Sequence, residues 1–85
     1  MRLLNTEDEK RLLQVQLYLS APEARKMIAE LEQLVADPEQ SEHFHLFSEN
    51  GGAELICGVV TPRKLASSGY TAGERKAFGN WNPLQ

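Results

Sequence analysis

The 85-residue chain has room for one small domain, and its 41% apolar and 25% charged residues are typical of a globular protein rather than a disordered one. Its formal net charge of −3 is not the charge of a typical nucleic-acid-binding protein. No apolar run reaches the roughly 18–20 residues that span a membrane, and residues 1–9 turn acidic before a secretory signal can form. We therefore expect no membrane partner. Because a single cysteine cannot form an intramolecular disulfide, we also expect a cytoplasmic protein.

The first clear pattern along the chain is an alternation of apolar and polar residues from Leu13 to Leu19, which is the period of a half-buried strand. Ahead of it, Leu3-Leu4 is a candidate extra edge strand at the N-terminus, in a hairpin that turns through residues 6–9. The sequence therefore predicts one main strand and one additional strand in the first 20 residues.

A helix follows this strand. Ser20 and Glu23 have the spacing of a capping box, and Pro22 suits the first turn of a helix. Apolar residues then recur at helical spacing, at Ala24, Met27, Ile28, Leu31, Leu34 and Val35. The pattern predicts a helix over residues 21–36 with one apolar stripe, ended by Asp37-Pro38.

Two further strands, His43–Glu49 and Ala53–Thr61, flank Asn50-Gly51-Gly52, whose residues tolerate the positive φ of a tight hairpin turn. The predicted fold is α+β, with a three-stranded, mainly antiparallel sheet of β-α-β-β topology and one helix on one face. We favour the strand order 1-3-2, in which each neighbouring pair is antiparallel. The alternative places the first two strands side by side and parallel.

Residues 63–85 differ in amino-acid composition from residues 1–62. They hold few aliphatic side chains but three of the six aromatic residues, Tyr70, Phe78 and Trp81. We predict a β-α-β-β domain over residues 1–62 and an irregular polar C-terminal tail over residues 63–85, either disordered or docked through its aromatics. Thr71 and Glu74 have the spacing to cap a short helix that ends near Phe78.

Two histidines stand out on the first strand of the hairpin. His43 and His45 lie two residues apart, so their side chains share one face, about 6.5–7 Å apart along the strand. Two imidazoles on one face can chelate a metal ion if a third ligand converges on it. Glu42, Glu49 and Cys57 are near in sequence or on the neighbouring strand, but nothing fixes one of them as that ligand. We therefore predict no metal site and interpret the pair as surface or subunit-contact residues.

The remaining candidates have structural interpretations that we prefer. Cys57 lies mid-strand among aliphatic residues, where cysteine usually packs as a small hydrophobe, and we predict no catalytic residue. Basic residues are interleaved with aromatics in the tail, a pattern that can follow a nucleic-acid strand, but the acidic chain favours packing on its own domain or on a partner subunit. We expect no nucleic-acid partner. The candidate interaction surface comprises His43, His45, Phe47, Cys57 and Trp81.

The order of elements from Leu13 to Pro62 contains Ser-Ala-Pro-Glu at the helix start, Asp-Pro-Glu after the helix, His-Phe-His-Leu in a strand and Asn-Gly-Gly in a turn. This arrangement resembles that of small uncharacterised bacterial proteins of similar length, some of which are labelled immunity proteins of polymorphic-toxin systems. The resemblance covers some 50 of the 85 residues and includes no catalytic motif. It implies a toxin-neutralising role without assigning functional residues.

We expect a non-enzymatic interaction or regulatory protein that uses no cofactor and acts on a protein partner through an open sheet face or sheet edge. The alternative is a small-ligand-binding or enzyme subunit whose pocket forms between two protomers, with the strand of His43 and His45 in its wall. Because the hairpin is apolar on both faces and one helix covers only one of them, we predict a homodimer joined through the sheet. The rival cover for the open face is the tail.

Overall fold

The computed structural model describes residues 1–67 and 69–84, so Ser68 and Gln85 of the predicted tail lie outside the described residues. The elements in chain order are β1 (Leu3–Leu4), β2 (Arg11–Leu12), α1 (Ala21–Ala36), β3 (Phe44–Phe47), β4 (Glu54–Cys57), α2 (Pro62–Ala66) and α3 (Ala72–Phe78). They form two compact units. The central unit is Tyr18–Val60, and the terminal unit combines Met1–Leu17 with Thr61–Gln85. The α+β class is confirmed.

Helix α1 of the central unit begins and ends at the predicted residues. The Ser20 side-chain oxygen accepts a hydrogen bond from the Glu23 backbone N–H at 3.2 Å, and the Glu23 carboxylate accepts one from the Ser20 N–H at 2.8 Å. This capping box satisfies N–H groups that a helix N-terminus leaves without an intrahelical partner. Asp37 is the C-cap, directly before the proline that cannot continue the helix.

Strands β3 and β4 form the predicted antiparallel hairpin, with Phe44 opposite Cys57, although each strand has only four residues. The turn between them uses the predicted residues. The Gly52 N–H donates to the Asn50 side-chain oxygen at 2.9 Å, and Gly51 adopts a φ of 73°. That conformation lies in the left-handed region, where only glycine avoids a steric penalty.

The core of the central unit lies between α1 and one face of the hairpin. Leu34 of the helix and Phe44 and Leu46 of β3 are buried and pack together. Around them are the partly buried side chains of Met27, Leu31, Leu55, Cys57 and Val59. Since burying one large apolar side chain contributes about 1.5–3 kcal/mol, these three residues supply much of the hydrophobic stabilisation of this unit.

The strand predicted over Leu13–Leu19 is not formed in the structure. Only Arg11–Leu12 is a strand in this region, and it pairs with Leu3–Leu4. The described residues contain two separate two-stranded sheets, so the three-stranded sheet of order 1-3-2 is not shown. The physical reason is that alternation indicates which side chains share a face, whereas a strand also needs a neighbouring backbone to complete its hydrogen bonds.

The terminal unit contains the short hairpin of β1 and β2, so Leu3–Leu4 is a strand as predicted, but it lies in a separate two-stranded sheet and not at the edge of a larger one. Leu3 lies opposite Leu12 in an antiparallel register. Asn5 organises the turn, because its side-chain oxygen accepts from the Glu7 N–H at 2.9 Å and its carbonyl accepts from the Glu9 N–H at 2.8 Å.

Two short helices follow the central unit in sequence. Helix α3 has the capping box predicted for it, in which Thr71 and Glu74 exchange hydrogen bonds of 3.1 and 2.8 Å. Helix α2 was not predicted; Thr61 is its N-cap and accepts from the Lys64 N–H at 3.2 Å. The division at residue 62 stays a prediction. No helix in the described part of the chain is both long and apolar enough to cross a membrane.

Candidate functional site

The two faces of the central hairpin differ in chemistry. Residues of β3 alternate between buried and exposed, so one face packs on α1 and the other points away from it. We call the second face the outer face, and its side chains are those of His43, His45, Phe47, Glu54 and Ile56. The structure thus brings together three of the five residues that the sequence singled out.

The two histidines face each other at hydrogen-bond distance. The Nε2 atoms of His43 and His45 are 3.1 Å apart, and the Nδ1 atom of His45 is 3.1 Å from the Glu54 carboxylate. The side chains of His45 and Glu54 are 41% and 40% exposed, so this row of groups lies in contact with water. The two imidazole nitrogens therefore lie much closer together than the spacing of their residues along the strand.

Ring packing fixes the orientation of this pair. The ring planes of His43 and His45 meet at 62° with centroids 4.9 Å apart, which is an edge-on contact. On its other side, His45 stacks on Phe47 with centroids 6.0 Å apart and planes 13° from parallel. His45 is thus held by one ring on each side and by the carboxylate of Glu54.

Gly58 allows the backbone that follows β4 to approach the backbone of His43. A Cβ atom at Gly58 would lie 3.0 Å from the carbonyl oxygen of Glu42 and 3.4 Å from the Cβ of His43. Because the nearer atom belongs to the backbone, a larger side chain there would displace residues 42 and 43. The position of the first histidine therefore depends on the glycine directly after the neighbouring strand.

Cys57 does not belong to the outer face. It lies opposite Phe44 on the side of the hairpin that packs on α1, where it is half-buried against the core. Burial raises the pKa of the Cys57 thiol, which lowers the fraction of reactive thiolate. The environment therefore favours the interpretation of Cys57 as a packing residue.

Trp81 belongs to the terminal unit. Its ring contacts Phe78 at a centroid distance of 6.1 Å, and the Arg2 guanidinium lies over the ring at 5.0 Å. Phe78 also contacts Tyr70 edge-on at 5.0 Å. The three aromatics of the predicted tail therefore form one row of packed rings, closed by an arginine.

Arg75 of α3 also has backbone partners in the terminal unit. The Arg75 guanidinium donates to the Leu65 carbonyl oxygen at 2.9 Å and also to the Ser67 carbonyl oxygen. These bonds join the C-terminal end of α2 and the residue after it to α3 within the terminal unit. In this conformation, the Arg75 guanidinium acts as a structural cross-link.

Sequence reasoning missed the roles of two glutamates. Glu49 connects the turn of the central hairpin to the helix N-terminus: its N–H donates to the Glu23 carboxylate at 2.9 Å, and its own carboxylate accepts from the Ser20 hydroxyl at 3.1 Å. Backbone hydrogen bonds from Ser20 and Glu49 lower the pKa of Glu23. The contact of Glu54 with His45 could be predicted only from the register of the hairpin, which the composition of the chain does not give.

A second surface of the central unit is apolar and uncovered. The helix stripe is wider than the hairpin that packs on it, so Ile28 and Val35 are 57% and 71% exposed. Neither outer edge of the β3–β4 hairpin pairs with a third strand among the residues described. The central unit thus offers an open sheet edge together with uncovered apolar residues on its helix.

Two grooves bear on the ligand-binding alternative. One, in the central unit, has a volume of about 190 Å³ and is lined by Glu30, Gln33, Leu34, Ser41, His43 and Phe44. The other, in the terminal unit, measures about 440 Å³ and is lined by Asp8, Glu9, Lys10, Arg11, Gly73, Lys76 and Ala77. Small-molecule sites usually enclose about 300–1,000 Å³ with mainly apolar walls. The first groove is below this range and the second lies within it. Each lies within one chain, whereas the alternative places its pocket between two protomers, so the alternative stays a prediction.

Comparison with known proteins found no matching family model, no matching curated protein and no matching solved structure. Within the described residues, no group of three or more His, Cys, Asp or Glu side chains could hold a metal ion. The function must therefore be inferred from the surfaces themselves.

Proposed function

We propose that this chain is a non-enzymatic interaction domain that acts by strand addition, and that its partner is a second copy of itself. In this proposal, the segment Leu13–Leu19 of each copy adds to the free edge of β4 in the other. The product is the three-stranded, antiparallel sheet of order 1-3-2 that the sequence pattern predicts, with its first strand supplied by the partner. The chain acts by binding rather than by catalysis.

The observation that carries the proposal is the exposure of a strand-patterned segment. Leu13, Val15 and Leu17 repeat at the period of a strand, yet they are 87%, 58% and 51% exposed. Isolated apolar side chains at a surface are ordinary, but a row of them at the spacing of one strand face is typical of a segment that pairs with another backbone. Pairing would satisfy the hydrogen bonds of the segment and bury its apolar row together.

The receiving surface has the complementary chemistry. Strand β4 contains no proline or lysine, residues that commonly protect a sheet edge from pairing. Next to the hairpin, α1 presents the uncovered side chains of Ile28 and Val35. A third strand on the same sheet would lay its inward apolar row against this part of the helix, which two strands are too narrow to reach.

A second copy is the partner that this arrangement favours, because each chain carries both the donor segment and the acceptor edge. Exchange of identical segments is a low-cost route to a closed two-fold dimer. It also supplies burial that a chain of 85 residues lacks by itself. Both copies then gain a complete sheet from one symmetric interaction.

We further propose that the dimer formed in this way binds and neutralises a toxin in a bacterial cytoplasm. It is supported by the resemblance in the order of elements and turn residues between Leu13 and Pro62, and by the net charge of −3, which would steer a basic toxin toward the chain. The test is co-expression with the product of the neighbouring reading frame. Growth arrest by that product and its relief by this chain are expected, whereas arrest that this chain leaves unchanged would contradict this role.

The experiment for strand addition is isotope-filtered NMR on an equimolar mixture of ¹³C,¹⁵N-labelled and unlabelled chain. We expect nuclear Overhauser effects between copies that connect the methyl groups of Val15 and Leu17 with residues of β4, because antiparallel neighbours lie about 4.5–5.5 Å apart. The same effects within one copy only would show that the chain completes its own sheet, and the proposal of an exchanged strand would be wrong.

A further inference from the structure

The outer face of the central hairpin has a property that strand addition at the β4 edge does not use. The chain contains only two histidines, and the structure turns both imidazoles toward one point, with their Nε2 atoms 3.1 Å apart. Two nitrogen ligands of one tetrahedral metal ion, each about 2.0–2.1 Å from the metal, are separated by about 3.3–3.4 Å. The observed separation is therefore close to that of a chelating pair.

Glu54 determines which nitrogen of His45 is available. Its carboxylate lies 3.1 Å from Nδ1, and because a carboxylate only accepts, the neutral imidazole carries its proton on Nδ1 and its lone pair on Nε2. The His43 Nε2–H then donates across the 3.1 Å contact, and its proton moves to the His43 Nδ1 when a metal ion binds Nε2. Metal-bound histidines usually donate their second ring N–H to a carboxylate or a carbonyl in this way. The stacking of Phe47 on His45, at 6.0 Å and 13°, holds the ring in the same orientation.

We propose that His43 and His45 chelate one divalent transition-metal ion of the zinc, nickel or copper class through their Nε2 atoms, with Glu54 as a positioning residue. Imidazole nitrogen is a preferred ligand of these metals, whereas calcium and magnesium prefer oxygen. Two protein ligands leave further coordination positions open to water on this exposed face. The site lies within one chain, so it stands independently of the proposed dimer.

Calorimetric titration of the purified chain with Zn²⁺ tests the proposal. We expect one ion per chain and an affinity that falls at least about tenfold in His43→Gln and in His45→Gln, because each variant converts a chelate into a single ligand. Glu54→Gln is expected to weaken binding by about 10-fold or more, since the orienting partner of His45 loses its charge. All three substitutions are on an exposed face, and circular dichroism of each variant checks that the fold is retained.

Glu42→Gln is the matched control, because it removes the same charge from a residue beside His43 that accepts no hydrogen bond from either ring in the structure. Its affinity for Zn²⁺ should stay within about twofold of the parent chain, as expected for a solvated surface charge. In the NMR spectrum, Zn²⁺ should shift the ring signals of both histidines at the same metal concentration. Equal loss of affinity in Glu42→Gln and Glu54→Gln, or retention of binding in His45→Gln, would overturn the proposal.

Discussion

The central and terminal units are stabilised in different ways. In the central unit, a 16-residue helix and a hairpin bury Leu34, Phe44 and Leu46 between them. In the terminal unit, the helices have five and seven residues and the strands have two, and the bonds that join them are caps, an arginine cross-link and ring contacts. Apolar burial thus dominates in the first unit, whereas helix caps, an arginine cross-link and half-buried aromatic rings share this role in the second.

This difference shows what each kind of contact can do in a short chain. A buried apolar side chain contributes about 1.5–3 kcal/mol, whereas an average hydrogen bond contributes about 0.5–1.5 kcal/mol after its exchange with water. Short helices are also unstable in isolation, because the free-energy cost of nucleation exceeds the gain from adding a few residues. We therefore expect the central unit to hold most of the stability of the chain.

The largest effect should come from truncating the core of the central unit. Leu34→Ala is expected to lower the free energy of unfolding by about 2–5 kcal/mol, because it leaves a cavity against Phe44 and Leu46. Glu32→Ala, on the exposed side of the same helix, should change it by no more than about 0.5 kcal/mol. Urea denaturation followed by helical circular dichroism measures both, and equal losses would show that burial does not dominate in this unit.

An intermediate effect should follow from removing the helix caps, one in each unit. Ser20→Ala should lower the free energy of unfolding by about 1–2 kcal/mol. The Ser20 hydroxyl accepts a hydrogen bond from the Glu23 N–H and also donates one to the Glu49 carboxylate, and both are lost. Thr71→Ala removes a cap of the same type that lacks this additional contact, and should cost about 0.5–1 kcal/mol.

Amide hydrogen exchange locates the two cap effects. Ser20→Ala should speed exchange in α1 and in the hairpin turn, while Thr71→Ala should speed it in α3 alone. Faster exchange of the core amides of Phe44 and Leu46 in Thr71→Ala would mean that the two units unfold together. It would contradict the view that they are stabilised separately.

The smallest effect is the acid dependence of the central unit. The pKa of Glu23 is lowered in the folded state by backbone hydrogen bonds from Ser20 and Glu49, so its carboxylate binds protons less readily than in the unfolded chain. The resulting stability is present above the ordinary glutamate value of about 4.3 and is lost as the pH falls through the lower folded value.

Glu23→Gln tests this dependence, since glutamine does not titrate. Thermal melts from pH 6 to pH 3 should show a smaller loss of stability in the variant than in the parent chain. Glu30→Gln removes a carboxylate from the same helix at a position outside the capping box and is the matched charge control. Identical slopes for Glu23→Gln and the parent would contradict the role of the capping carboxylate.

The parts of the fold that the sequence predicts correctly depend on local rules. The capping box of Ser20, the apolar stripe of α1 and the glycine turn at Gly51 all depend on residues within a few positions of one another. The sequence pattern predicts a strand up to Thr61 and thus places Pro62 at a strand end, whereas the structure has helix α2 there. Thr61 followed by proline is also the signature of an N-cap and first helical position, and that signal was sufficient to find it.

Features that depend on pairing at a distance were less predictable. The strand at Leu13–Leu19 was inferred from alternation, which gives the faces of a strand but not its neighbour. In the same way, the shared face of His43 and His45 follows from their spacing, whereas the contact of His45 with Glu54 requires the register across the turn. Long-range register is the information that one sequence lacks.

The central claim, that two copies complete one another's sheet, is tested most directly by sedimentation equilibrium at micromolar concentration. The parent chain is expected to sediment at twice its mass of 9.5 kDa. Leu17→Lys, which places a charge in the exchanged apolar row, should sediment as a monomer, while Gln16→Lys, on the opposite face of the segment, should remain dimeric. A parent chain that sediments at 9.5 kDa throughout this range would contradict the account.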